Sequence, residues 1–240
     1  MRMGQDVQHQ MMGYDRAITL FTPEGRLLQV EYAKKTVKQG STAVGIRYAK
    51  GVVIVSDKRL IDPLILGRSV EKVFPIDTHL IAAAAGIMSD ARVLAERARV
   101  KAQQHRVTYA TPIDVISIVK DVCDLKQITT QSGGYRPFGV SFIFAGVDAT
   151  GPHVYETDPT GIFFEYAATV IGEGEEKGRE YLHKAYKEGL TREDALLLGI
   201  RVLKHVLGED FRAERVDAAY VEESAVFLSE EEVQTLVSRA

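Results

Sequence analysis

The chain has 240 residues, 45% of them apolar and 26% charged, with a net charge of −3. These values suit a globular protein with a sizeable core, and the slightly acidic balance excludes the basic footprint of a nucleic-acid binder. A single cysteine, Cys123, excludes an internal disulfide and a cysteine-based zinc site, and no run of about 18 apolar residues offers a membrane span.

Taken in chain order, residues 1–13 (MRMGQDVQHQMMG) are polar and have no apolar core of signal-peptide length. They are expected to form a mobile tail on a soluble, intracellular protein. Tyr14 to Phe21 reads as extended, and Pro23-Glu24-Gly25 breaks it. A helix is expected over about 26–39, because Leu27, Val30, Ala33 and Val37 recur at spacings of three and four. Glu31 and Lys35 would pair on its outer face, and Gly40 would stop it.

Two β-rich runs, Thr42–Tyr48 and Gly51–Ser56, flank Ala49-Lys50 and read as a hairpin. The VVIV of the second run is continuously apolar, as for a strand buried on both faces. Val70–Ile76 and His79–Ala85 are expected as further strands. Two adjacent helices follow. The first runs from Gly86 to Arg106, with Ser89 or Asp90 as cap and Val93, Leu94, Ala98 and Ala102 inward. The second starts at Thr111-Pro112 and turns Ile113, Ile116, Val119, Val122, Cys123 and Ile128 inward. Cys123 there reads as a small buried hydrophobe.

Phe138–Val147, His153–Thr157 and Ile162–Ile171 are the next strands. Two more helices, Gly174–Glu188 and Arg192–Leu207, precede strands Val216–Val221 and Ala225–Leu228. Ser229 with Glu232 opens a last helix. Strands and helices therefore come in blocks, which argues against a doubly wound sheet and for an α+β arrangement of two packed sheets, each covered by a helix pair. No linker divides the chain, so 14–240 is expected to be one domain.

Three stretches carry a family resemblance. TPEGRLLQVEYA (Thr22–Ala33) resembles the signature of proteasome α-type subunits. GSTAVGI (Gly40–Ile46) with SDKR (Ser56–Arg59), and GYRPFGVSFIFAGVD (Gly134–Asp148), are similar to that family's core strands. The plain sequence and its YDRAIT opening resemble the archaeal α subunits. The resemblance implies a four-layer αββα sandwich of the N-terminal nucleophile hydrolase type. It also implies a homo-heptameric α ring of the 20S core, stacked on β subunits that carry the proteolysis, in the cytoplasm.

An N-terminal nucleophile hydrolase needs a residue whose own α-amino group is free to act as base. By order and spacing Ser41 takes the nucleophile place, Asp57 the acidic place and Lys72 the lysine place, so a self-processed hydrolase using Ser41 is the alternative. While the preceding residues remain attached, the nitrogen of Ser41 is an amide and cannot serve. The chain is therefore expected to be non-catalytic, and the resemblance implies that it serves as a gate and docking platform.

In that reading Lys72 receives the C-terminal carboxylate of an AAA ATPase or other activator tail, with Gly40 and Gly86 as pocket walls. The physical basis is a charge-assisted hydrogen bond, with glycine permitting close backbone approach. Tyr14, Asp15, Pro23 and Tyr32 are the gate residues that the resemblance implies, with residues 1–13 as the plug in the path of unfolded protein substrates. His9, His79, His105, His153, His183 and His205 show no metal-ligand spacing, so no metal or cofactor is expected. Gly172-Glu173-Gly174 is expected only to turn a strand into a helix.

Overall fold

The VVIV run forms the centre of a strand in which every residue is buried. Its neighbours explain why. The computed structural model describes residues 19–59, 62 and 64–240. Among these, β1 (Ala43–Tyr48) and β2 (Gly51–Asp57) form the expected hairpin around Ala49-Lys50. They join β8 (Ala168–Ile171), β9 (Val216–Val221) and β10 (Ala225–Phe227) in an antiparallel sheet of order β10-β9-β2-β1-β8. A second antiparallel sheet, β3-β4-β5-β6-β7, is built from Val73–Asp77, Leu80–Gly86, Val140–Asp148, Gly151–Thr157 and Phe163–Glu165.

The alternation of strand side chains sorts the apolar residues into three layers. Val53 and Val55 of β2 pack on one side, while Val52 and Ile54 join Ile81, Ala83, Ile143 and Ala145 between the sheets. Leu80, Ala82, Phe142 and Phe144 face the other way. They are covered by α2 (Met88–Tyr109) and α3 (Val115–Gln131). On the far side α4 (Glu175–Ala185) and α5 (Arg192–Leu207) cover the first sheet, with α6 (Glu230–Arg239) packed on α5. The result is the four-layer αββα sandwich. An additional helix, α1 (Leu28–Gln39), contacts β4 and β5 and places Val37 in the layer between the sheets.

Several local expectations need correction. Ile162–Ile171 is not one strand. The N–H of Tyr166 donates to Val154 O in the second sheet, while Ala167 O accepts from Arg47 N in the first. The chain changes sheets at that point, giving β7 and β8. Val93 and Ile128 are exposed rather than inward. The inward stripe of α2 is made of Leu94 and four alanines, Ala91, Ala95, Ala98 and Ala102, whose small side chains let the helix lie close to the sheet. In α3 it is Lys126, not Ile128, that turns inward.

The caps differ too. Ile87 is the N-cap of α2, and Asp90 sits in its first turn, where it accepts from Arg136 and from Gly139 N. Burial pushes that carboxyl up, but these hydrogen bonds outweigh it and hold it below its ordinary range. Pro112 lies ahead of α3, whose Val115 N–H is satisfied by the Asp148 carboxylate at 3.0 Å. The Ser229–Glu232 capping box of α6 is present as expected.

Candidate functional site

The end of α1 meets the sheets at residues 39–42. Gly40 follows the helix in an extended conformation, and a Cβ there would overlap the backbone nitrogen of Gly86. Gly86 itself has φ +119°, and a Cβ on it would overlap Gly139 O. Only glycine lets these backbones touch. The two predicted pocket walls are thus in contact with one another.

Lys72, just ahead of β3, reaches the same junction. It is only 2% exposed. Its ammonium donates to Ser41 O at 2.9 Å and to Ala84 O. Burial lowers its pKa to about 7, against the opposing pull of Asp57 and with a smaller contribution from Arg59. A lysine ammonium has three donors. Two are engaged, and among the described residues the third has no acceptor.

Three successive carbonyls are held at this junction. Arg59 Nη1 donates to Gln39 O at 3.1 Å, Glu173 N to Gly40 O at 2.8 Å, and Lys72 to Ser41 O. Thr42 Oγ1 returns a hydrogen bond to Glu173 O at 2.6 Å, and Arg59 Nη2 pairs with the Glu173 carboxylate. Below them the fully buried Asp57 is gripped by Arg215 through both oxygens, at 2.8 and 2.6 Å, and accepts the Arg59 N–H at 3.2 Å.

Ser41, Asp57 and Lys72 are therefore neighbours, but their contacts do not form a catalytic relay. Lys72 bonds the carbonyl of Ser41 and not its hydroxyl. Asp57 is committed to Arg215. The nitrogen of Ser41 is a peptide amide in a continuous chain.

The residues expected at a gate are less fully placed. Tyr14 and Asp15 lie outside the described residues, as does the tail 1–13. Pro23 is exposed in a turn closed by Gly25 N donating to Thr22 O. Tyr32 is half-buried on α1, with the Lys35 ammonium over its ring at 5.3 Å.

Sequence reasoning misses Arg59, Glu173 and Arg215. Arg59 stands inside the SDKR stretch, and Glu173 reads only as part of a turn. Pairing across more than a hundred residues leaves no local signal for either. A broad groove along α2 and α3, lined by Arg92, Val93, Val100 and Asp121 among others, contains none of the predicted site residues. No cluster of His, Cys, Asp and Glu among the described residues could hold a metal ion.

The sequence has known relatives. The family model described as proteasome subunit matches residues 37–221, and the N-terminal signature of the A-type proteasome subunits matches residues 14–35. The chain belongs to the proteasome α-subunit family. It is 49% identical to the proteasome alpha subunit of Methanopyrus kandleri over 90% of this chain and 88% of that one. It is 46% identical to that of Archaeoglobus fulgidus, and 47% to that of Methanosarcina acetivorans, each over 95% of this chain and 94% of the relative. These relatives are archaeal, as the sequence resemblance implied. Within the family signature, residues 19–35 supply the turn before α1 and most of its buried face. No helix among the described residues is long and apolar enough to cross a membrane.

Proposed function

We propose that this α subunit of the 20S core is non-catalytic, and that its ring gates substrate entry and docks activators. Seven copies would form the outer ring on a ring of β subunits, in the cytoplasm, with proteolysis carried by the β subunits. Residues 14–240 would be the ring-forming domain and residues 1–13 the plug. Tyr14, Asp15, Pro23 and Tyr32 would hold the open gate. Unfolded protein substrates would pass through it.

The observation that carries the docking reading is the spare donor of Lys72. Among the described residues this buried ammonium has only two carbonyl partners, which makes it an incomplete site. The free carboxylate of an AAA ATPase or other activator tail would complete it with a charge-assisted hydrogen bond. The contact between Gly40 and Gly86 supports the reading, because it leaves backbone rather than side chains at the pocket wall.

Lys72→Ala is expected to abolish activator-stimulated degradation while ring assembly, followed by electron microscopy, stays intact. Normal stimulation would remove Lys72 from the site. Deleting residues 1–10 is expected to speed peptide hydrolysis by the assembled particle, and no increase would count against the plug. A species beginning at Ser41 in an intact mass spectrum would restore the hydrolase reading.

A further inference from the structure

The exposed part of the Lys72 junction is an ion pair. Arg59 and Glu173 have side chains 33% and 55% exposed, whereas Lys72 is buried. Arg59 and Lys72 bind carbonyls two residues apart, those of Gln39 and Ser41. Arg59 is also one of the charges that hold down the proton affinity of Lys72. The two cations therefore act on one site.

We propose that Arg59 is the second cation of the carboxylate pocket and Glu173 its built-in place-holder, so that a docking C-terminal carboxylate displaces Glu173 from Arg59. The proposal rests on the reading of Lys72 as the docking lysine.

Three features support the exchange. First, a guanidinium is a planar fork that matches a carboxylate with two parallel bonds, whereas an ammonium is a point charge. Lys72 would supply attraction, and Arg59 would distinguish a free acid from an amide. Second, the backbone of Glu173 is anchored independently of its side chain, through Gly40 O and Thr42 Oγ1. The carboxylate can leave without disturbing that anchor, and a half-exposed ion pair gives up little when it opens. Third, Arg59 has φ +37°, a left-handed conformation that a residue with a Cβ rarely adopts. Its N–H is held there by Asp57, which Arg215 fixes in turn. Observed backbone strain of this kind is a pointer to function.

The test uses the assembled full-length chain and a labelled peptide copying an activator's C-terminal tail, as free acid and as C-terminal amide. Binding is followed by fluorescence anisotropy. Glu173→Gln is expected to tighten binding of the acid several-fold. Arg59→Gln should weaken it about tenfold and shrink the preference for acid over amide. Arg59→Lys, which keeps charge but not the fork, should fall between. The double variant should behave as Arg59→Gln, with no gain from Glu173→Gln.

A merely structural latch would move Glu173→Gln and Arg59→Gln in the same direction. That outcome, or no change in either while Lys72→Met abolishes binding, overturns the exchange and leaves Lys72 docking standing. If the acid peptide does not bind the unaltered ring, or binds Lys72→Met equally well, the docking reading fails and the exchange falls with it.

Discussion

Among the described residues two lysines are buried, and they are buried in different ways. Lys126 of α3 is fully enclosed, and its three donors meet three acceptors: Val140 O at 3.0 Å, Thr157 Oγ1 at 2.8 Å and Asp158 O at 3.3 Å. Its ammonium also lies 5.4 Å from the centre of the Phe142 ring. Lys72 meets two acceptors and has a charged, partly exposed neighbour in Arg59. Burial lowers both, Lys72 to about 7 and Lys126 to about 8. Depressed proton affinity alone therefore does not separate a structural lysine from the one proposed to dock a carboxylate. The count of satisfied donors does.

The sharpest way to break that contrast is to remove each amine with a side chain of similar volume. Lys72→Met is expected to weaken tail binding about 100-fold, the worth of a charge-assisted hydrogen bond, while Lys126→Met leaves it unchanged. In urea unfolding the order should reverse. Lys126→Met should cost about 2 kcal/mol, since it strands three buried acceptors, and Lys72→Met less.

The cost at Lys126 should also depend on pH. The folded Lys126 loses its proton near 8, whereas an unfolded lysine keeps it to about 10.4. Between those values the unfolded chain binds more protons, so the native lysine loses its relative charge penalty and gains stability as pH rises. The loss in Lys126→Met should therefore be larger at pH 9.5 than at pH 7. Equal losses at both would show that burial does not depress the proton affinity of Lys126.

Tail binding should show the opposite trend. Below pH 7 Lys72 is charged and ready for a carboxylate. Above that value docking must first return a proton to it, so affinity should fall, by up to about tenfold per pH unit, until the bound-state pKa is reached. The charges that face Lys72 are Asp57, which favours the proton, and Arg59, which opposes it. Arg59→Gln should therefore move the onset of the decline to higher pH. A flat profile from pH 6 to 9 would put the carboxylate elsewhere.

Much of this fold is legible in the sequence because period and punctuation are local. The bounds of α5 read correctly as Arg192–Leu207, and the Ser229 cap is plain. What fails is decided at a distance. Ile162–Ile171 has unbroken strand character, yet Tyr166 and Ala167 bond to different sheets. Lys126 has a strongly hydrophilic side chain, and only the carbonyls across the core turn it inward. At the site, resemblance points to Gly40, Lys72 and Gly86, and the fold brings them together. Arg59 and Glu173, 114 residues apart, escape notice, since nothing in either local stretch announces the pair.

Cys123 offers the smallest and most local test of the same contrast. It precedes Lys126 by one helical turn, and its thiol is buried. An adjacent ammonium would favour the thiolate, but burial outweighs it and pushes the thiol up to about 12. At pH 8 only about one thiol in ten thousand would then be ionised, and the thiolate is the reactive form. Native protein should therefore resist iodoacetamide, with labelling confined to molecules that open. Lys126→Met should raise the labelling rate through easier opening and in proportion to its loss of stability, while Lys72→Met should raise it less. Rapid labelling of the unaltered protein would mean that the Lys126 site is open to solvent, and the distinction between a closed lysine and an unfinished one would be lost.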